Sequence, residues 1–217
     1  MKQIYTNYGD ISLPMAVWLA ANDGYDLSPA RNVLSATTLL KPVKSVVLTQ
    51  QLAEKEEQGL VDIADLIPSR LGTAVHTAVE TAWINNYQTA MKNLGMTQGA
   101  INSIKINPDP TTVEDGDYPI YLEIRRSKDI LGYTISGKFD LVEDGRVKDI
   151  KSTKVYTILH GTNDEKYRWQ GSIYRWLNQD IIIDDYMDIE FLLTDWSSLK
   201  AQNDKAYPPH PLMTKTY

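Results

Sequence analysis

The chain has 217 residues, of which 42% are hydrophobic and 23% are charged. This composition is ordinary for one folded domain and excludes collagen-like, coiled-coil and wholly disordered chains. It contains no cysteine, which excludes disulfides and an iron–sulfur cluster and predicts a cytoplasmic setting. A formal net charge of −6 argues against nonspecific coating of nucleic acid but leaves room for a local basic channel. No apolar run approaches the ~20 residues of a membrane span, so no membrane contact is expected.

The first part of the chain is predicted to be mainly helical. Residues 1–34 form a predicted helical and loop extension, and residues 35–217 the predicted main domain. The predicted helices are 13–21, 37–40 behind an N-cap at Ser35, 43 to about 58, and a long helix over 72–91 entered at Ile67. A turn is predicted at 22–26, and residues 93–119, rich in Gly, Pro, Asn and Asp, are predicted to be a long connection.

The second half alternates between the strand and helix periods. Strands are predicted at 120–124, 133–142, 147–153 and 188–193, with a helix over 164–179 before the last of them. This order predicts an α/β fold with a mixed central sheet that contains a β-meander and is flanked by helices. The tail from Tyr207 has three prolines within five residues and is expected to be either a disordered end or a point of truncation.

One hairpin carries the residues that suggest chemistry. The pair Asp144-Gly145 is favoured for a two-residue type I′ turn, and that turn places Asp140 opposite Asp149 on one face. Lys151 points the same way as Asp149 because side chains alternate along a strand. Opposed carboxylates repel, and Mg²⁺ would offset that repulsion while a nearby lysine stabilises charge on phosphate. The pattern predicts metal-assisted phosphodiester hydrolysis, and a solvated hairpin face with unrelated charges is the alternative.

Two helical pairs accompany the hairpin. His76 and Glu80 lie four residues apart and share a helix face, with Gly72 one turn before His76. Gln170 and Tyr174 share a face of the later helix in the same way. Taken alone, the histidine could equally be a packing or surface residue, and the second pair could be the rim of an amphipathic helix.

Together these residues form an ordered set of motifs. The set is GxxxH (Gly72, His76), GxxD (Gly137, Asp140), DxK (Asp149, Lys151) and QxxxY (Gln170, Tyr174). It resembles the RecB-like exonuclease branch of the PD-(D/E)xK nuclease superfamily, and is similar to phage-type and mitochondrial genome-maintenance exonucleases over about residues 35–195. The segment 34–42 also resembles the opening segment of phage members.

The resemblance implies a restriction-endonuclease-like core and DNA cleavage that depends on Mg²⁺ or Mn²⁺. The implied metal ligands are His76, Asp140, Asp149 and the backbone carbonyl of Ile150, with Glu80 supporting them. Lys151 is the implied catalytic lysine, acting with Asp140 and Asp149. The implied DNA contacts are Gln170, Tyr174, Arg70 and Ser152, of which the first two would also hold the site together. Relatives that carry a cysteine-bound iron–sulfur cluster differ from this chain, which has no cysteine.

The leading functional hypothesis is a metal-dependent DNA exonuclease for phage-type DNA processing, recombination or degradation. One alternative is a structure- or sequence-specific endonuclease on the same fold. Another is a catalytically dead DNA-binding module of a recombination or replication complex. The expected partners are single-stranded or end-containing DNA and a recombination or single-strand-binding protein. No helicase motif is present, so unwinding is expected to come from a partner.

Overall fold

The computed structural model describes residues 4–21, 32–54 and 60–217. Within them the chain is a mixed α/β structure whose sheets are flanked by helices. The strands are β1 Ile4–Thr6, β2 Val33–Ser35, β3 Leu60–Asp62, β4 Ile104–Ile106, β5 Tyr118–Leu122, β6 Arg125–Ile130, β7 Tyr133–Lys138, β8 Leu141–Glu143, β9 Arg146–Thr153, β10 Met187–Leu193 and β11 Leu212–Thr216. The helices are α1 Leu13–Ala20, α2 Ala36–Leu39, α3 Val43–Glu54, α4 Ile67–Asn93, α5 Gln98–Ser103, α6 Val155–His160, α7 Asp164–Leu177 and α8 Ser198–Asn203, with 3₁₀ turns at Ile63–Leu66 and Pro110–Thr112.

The predicted helices are present, with small changes at their ends. Ser35 caps α2 by accepting a hydrogen bond from the backbone N–H of Thr38 at 3.0 Å, as expected for a serine at this position. Pro68 stands in the first turn of α4, where its missing N–H costs nothing. The predicted turn at 22–26 and the predicted end of the third helix near 58 lie outside the described residues.

The largest sheet has the strand order β11-β10-β9-β8-β5-β4. Strands β5, β8 and β9 form an antiparallel meander, whereas β10 runs parallel to β9. A parallel pair needs a crossover connection, which α6 and α7 supply. Ile189 and Phe191 of β10 and Phe139 lie fully buried in the main hydrophobic core on this sheet.

A second sheet of order β2-β7-β6 leaves the first at the point where β7 ends. The predicted strand over 133–142 is therefore two strands, β7 and β8, in different sheets. Phe139 and Asp140 occupy the break, and Phe139 is 0% exposed. The chain turns here because this aromatic ring enters the core and Asp140 faces the neighbouring strand β9.

The structure also contains elements that the sequence did not predict. The predicted connection over 93–119 contains α5, β4 and a 3₁₀ turn, and the chain also forms β6 and α6, which were not predicted. The tail is ordered at β11, which pairs antiparallel with β10. Strand β1 pairs with β3, and β2 pairs with β7. No helix among the described residues is long and apolar enough to cross a membrane.

Candidate metal centre

The hairpin β8–β9 sets the geometry of the candidate site. The register pairs Leu141 with Lys148 and Glu143 with Arg146, as the turn chemistry predicts. Asp144 and Gly145 both have positive φ, 45° and 83°, which a type I′ turn requires. The ladder ends at Leu141, and Asp140 instead accepts a hydrogen bond from the backbone N–H of Ile150 at 2.8 Å.

His76 of α4 reaches this hairpin with both ring nitrogens. Nδ1 lies 3.1 Å from Asp140 Oδ1, and Nε2 lies 2.9 Å from the carbonyl oxygen of Ile150. The hydrogen bond to Asp140 raises the pKa of His76, although burial opposes the rise. A neutral imidazole carries one N–H and cannot donate to two oxygen acceptors. Both contacts are satisfied by the imidazolium, or by a neutral ring that donates Nε2–H to Ile150 while a cation lies between Nδ1 and Asp140.

Glu123 is a site residue that the sequence analysis missed. It stands between β5 and β6 with a φ of 54°, and its backbone N–H donates to the carbonyl oxygen of Asp140 at 3.0 Å. Its Oε1 lies 4.0 Å from His76 Nδ1, and its Oε2 lies 2.5 Å from Lys138 Nζ. The sequence pattern predicts a straight strand over 120–124, a conformation that would not bring the Glu123 carboxylate to His76.

His76, Glu123 and Asp140 together form a cluster with metal-binding potential. One ligand atom of each lies within 4.8 Å of those of the other two. The residues border a cavity of about 10 Å³, which is also lined by Glu80 and Ile150. Carboxylate and carbonyl oxygens suit Mg²⁺ and Mn²⁺, and imidazole is a common metal ligand. The donor set and the small cavity fit one divalent cation.

Asp149 lies beside this cluster in a buried ion pair. Its side chain is 1% exposed, Oδ1 accepts a hydrogen bond from Gln170 Nε2 at 3.0 Å, and Oδ2 lies 2.5 Å from Lys151 Nζ. Burial raises the pKa of Asp149 to about 6, because a carboxylate is poorly solvated there. The structure thus engages the Asp149 carboxylate with Lys151 and Gln170, outside the three-residue cluster.

Lys151 is the cation closest to this carboxylate. Burial lowers the pKa of Lys151, but the carboxylates of Asp149 and Asp140 more than offset this and the pKa is raised overall. Its side chain is 30% exposed, whereas that of Asp149 is 1% exposed. At neutral pH Lys151 is a charged group suited to contacting an anion rather than a proton acceptor.

Gln170 and Tyr174 are buried and hold the ion pair in place. Gln170 Nε2 donates to Tyr174 Oη at 2.8 Å as well as to Asp149. Tyr174 is 4% exposed and its ring meets Phe139 edge-on. The expected DNA contact of Tyr174 is disfavoured by this burial, which leaves little of the ring exposed. Gly137 is required here, since a Cβ atom would lie 2.7 Å from Leu177 Cδ1.

The other predicted residues occupy the face of α4 and its surroundings. Arg70 donates from Nε to the carbonyl oxygen of Leu19 in α1 at 3.0 Å, so part of its guanidinium serves helix packing. A Cβ atom on Gly72 would lie 3.5 Å from Ser152 Oγ, which shows how closely α4 approaches β9. Glu80 lines the cavity of the three-residue cluster.

Comparisons with known proteins give a fold likeness. No family model and no curated protein matches the sequence. A solved structure described as "Crystal structure of SSO0001" is similar, with a TM-score of 0.51 and 15% identity over 93% of this chain and 74% of that chain. At this identity the likeness shows that the fold is shared and carries no statement about activity.

Proposed function

We propose that the protein is a DNA exonuclease that hydrolyses phosphodiester bonds with Mg²⁺ or Mn²⁺. The observation that carries the proposal is the environment of His76, whose two ring nitrogens both face oxygen atoms. A positive charge on or beside the ring stabilises this arrangement, and the nearby Glu123 carboxylate increases that stabilisation. A divalent cation supplies this positive charge while the imidazole stays neutral.

We further propose that the six-stranded sheet is a restriction-endonuclease-like core of the RecB-like PD-(D/E)xK type. The meander β5-β8-β9, extended by β10 in parallel and accompanied by α4 and α7, agrees with the mixed sheet that this resemblance implies. The motif residues come from these same elements, which supports reading them as one site.

Residues of this chain would bind the metal ion and position Lys151. His76, Glu123, Asp140 and the carbonyl oxygen of Ile150 would hold the ion. When bound, Mg²⁺ or Mn²⁺ polarises the phosphate and lowers the pKa of a bound water. Lys151, whose side chain is held by Asp149 and is 30% exposed, would neutralise charge on the phosphate oxygens. Gln170 fixes the orientation of Asp149 and thereby that of Lys151.

Two alternatives make different predictions about products. A structure- or sequence-specific endonuclease on this fold would cut closed circular DNA, which an exonuclease needing an end would leave intact. A DNA-binding module without activity would have no need for the ordered group of His76, Asp140, Asp149 and Lys151.

The test uses end-labelled linear DNA and closed circular DNA, each with Mg²⁺, Mn²⁺, Ca²⁺ or EDTA. We expect mononucleotides or short products from the linear DNA with Mg²⁺ or Mn²⁺, and none with EDTA. Asp140→Asn should abolish release, whereas Glu114→Gln, a change at an exposed carboxylate outside the site, should not. Cleavage that persists in EDTA or in Asp140→Asn would contradict the proposal, and cutting of circles would select the endonuclease.

A further inference from the structure

The hairpin formed by β6 and β7 projects from the candidate metal centre. Glu123 precedes β6 and Asp140 follows β7, and the hydrogen bond between their backbones closes the base of the hairpin. Six residue pairs, from Arg125↔Lys138 to Ile130↔Tyr133, connect this base to the tip. At ~3.4 Å per residue, the tip lies about 20 Å from the two carboxylates.

The tip carries an unusual cluster of exposed apolar side chains. Leu131 is 92% exposed, and its neighbours Ile130 and Tyr133 are 48% and 49% exposed. Leu131 also has a φ of 51°, in a turn where asparagine or aspartate followed by glycine is favoured. Leucine at position 131 is unfavourable for the backbone conformation and for solvation. The stability of the hairpin therefore does not explain why this residue is a leucine.

The base of the same hairpin is basic and polar. Arg125 and Lys138 are directly opposed, and Ser127 is opposed to Ser136 on the same face. The Arg125 side chain is exposed, and its Nη1 donates to Ser136 Oγ at 3.1 Å. Lys138 contacts Glu123 of the metal centre. The hairpin therefore presents cations next to the metal centre and the exposed Leu131 in the turn at its far end, where Ile130 and Tyr133 lie on the opposite face from Arg125 and Lys138.

This division matches a DNA strand, whose phosphates are anionic and whose unpaired bases are apolar on their faces. Successive stacked nucleotides are ~3.4 Å apart, so the length of the hairpin corresponds to about six nucleotides. Apolar side chains and aromatic rings bind exposed bases by stacking or insertion, largely independently of sequence. A protein partner would contact the apolar tip alone, whereas a DNA strand would also contact the exposed Arg125 next to the metal centre.

We propose that the β6–β7 hairpin is a second DNA-binding element, whose tip holds unpaired bases about six nucleotides from the phosphate at the metal centre. This inference rests on the proposed function and adds to it the substrate class, a single-stranded segment long enough to span the hairpin. Contacts at the tip then favour long strands over short ones, although the chemistry takes place at the base.

The test variant is Leu131→Asn. Asparagine tolerates positive φ better than leucine, so the melting temperature should stay level or rise while the apolar contact is lost. Leu131→Phe keeps an apolar tip and should keep the DNA affinity. Leu94→Asn, a change at a leucine that is 80% exposed outside the site, is the matched control and should bind as the wild type does.

Affinity is measured in Ca²⁺ with thymidine oligonucleotides of about twelve and about three nucleotides. We expect Leu131→Asn to bind the long strand about tenfold more weakly and the short strand equally well. Replacing the bases five to seven nucleotides from the end, roughly at the tip, by abasic sites should weaken wild-type binding similarly and add little in Leu131→Asn.

The outcomes separate this inference from the proposed function. If Leu131→Asn binds the long strand as tightly as wild type while the wild type still cleaves DNA, only the role of the hairpin is refuted. A loss of self-association in Leu131→Asn with unchanged DNA affinity would likewise refute it and identify the tip as an interface between copies. A wild-type protein that neither binds nor cleaves DNA with Mg²⁺ or Mn²⁺ would refute the proposed function itself.

Discussion

The backbone N–H of Glu123 donates to the carbonyl oxygen of Asp140 at 3.0 Å, although a whole hairpin separates the two residues in the sequence. The bond places their carboxylates near each other and near His76. Left without a cation, two such carboxylates repel, and in the structure Lys138 lies against one of them and His76 against the other. Both carboxylates of the site are thus paired with a basic side chain.

Replacement of Glu123 tests whether it belongs to the metal site. We expect Glu123→Gln to weaken Mn²⁺ binding about tenfold or more, measured by titration calorimetry, because one charged ligand is lost. The amide can still accept a hydrogen bond from Lys138, so the fold should be retained. Glu114→Gln should bind Mn²⁺ like the wild type. Equal affinity in Glu123→Gln would remove Glu123 from the ligand set.

His76 should make stability and metal binding respond to pH in opposite directions. Its pKa is raised above 6.5 in the folded state, chiefly by the hydrogen bond to Asp140, so the protonated form stabilises the fold. That stabilisation is fully present below pH 6.5 and is lost as the pH rises through the raised pKa. Metal binding needs the neutral ring, so the metal-induced rise in melting temperature should grow over the same range.

His76→Asn is the control for this pH dependence. Both trends should flatten in melting curves recorded with and without Mn²⁺ across the neutral pH range. A metal-induced shift that depends on pH as strongly in the variant as in the wild type would show that another group governs binding.

Asp149→Asn should abolish cleavage without unfolding the protein. Burial raises the pKa of Asp149 from 3.8 to about 6, so its ionisation costs the folded state stability as the pH rises between these values. Asparagine removes that cost and can still accept the hydrogen bond from Gln170. We expect a melting temperature at neutral pH that is level or higher, and a flatter pH profile. A large loss of stability would mean that the ion pair with Lys151 outweighs the burial cost.

Lys151→Ala should separate catalysis from binding. The ammonium group lies beside Asp149 and outside the three-residue cluster, so the ion should still bind while single-turnover cleavage in Mg²⁺ is lost. DNA affinity in Ca²⁺ should change little, since one phosphate contact is a small part of an electrostatic interface. Lys92→Ala, at the end of α4, should cleave normally. Cleavage by Lys151→Ala at the wild-type rate would refute the catalytic assignment.

Tyr174→Phe should act on the rate and on stability rather than on DNA affinity. The phenol oxygen accepts a hydrogen bond from Gln170 inside the core, and removing it should cost about 1 kcal/mol of unfolding free energy. Gln170 would then orient Asp149 less strictly and slow cleavage. Tyr186→Phe, at a tyrosine that is 58% exposed, should change neither quantity. Weaker DNA binding by Tyr174→Phe with an unchanged rate would restore the expected DNA contact.

Local chemistry made part of this site predictable from the sequence. The turn at Asp144-Gly145 fixes which residues oppose one another, and so the pairing from Glu143 with Arg146 to Leu141 with Lys148 follows from the sequence alone. The predicted pairing of Asp140 with Asp149 does not, because the ladder ends at Leu141. The helical spacing of Gln170 and Tyr174 likewise places both on one face of α7. These relationships span a few residues, where backbone preferences dominate.

The parts of the site that the sequence does not predict depend on packing between segments that are distant in the sequence. Glu123 enters the site because the chain takes a left-handed turn at a residue that is not glycine, and tertiary hydrogen bonding stabilises that conformation. The break at Phe139 has the same character, since only the core into which the ring packs ends β7 there. The β-rich compositions of 120–124 and 133–142 do not indicate the turn at Glu123 or the break at Phe139.

Strand β11 lies at the outer edge of the large sheet, next to a strand rich in apolar residues. Without it, the unpaired N–H and C=O groups of β10 would form an open edge beside Ile189 and Phe191, which invites pairing with another molecule. β11 covers that edge with alternating residues such as Thr214 and Thr216, whose hydroxyls bond to the acidic side chains of β10. The same short segment that follows the proline-rich stretch therefore replaces the apolar β10 as the edge strand by a short strand with exposed threonines, an edge less prone to pairing with another molecule.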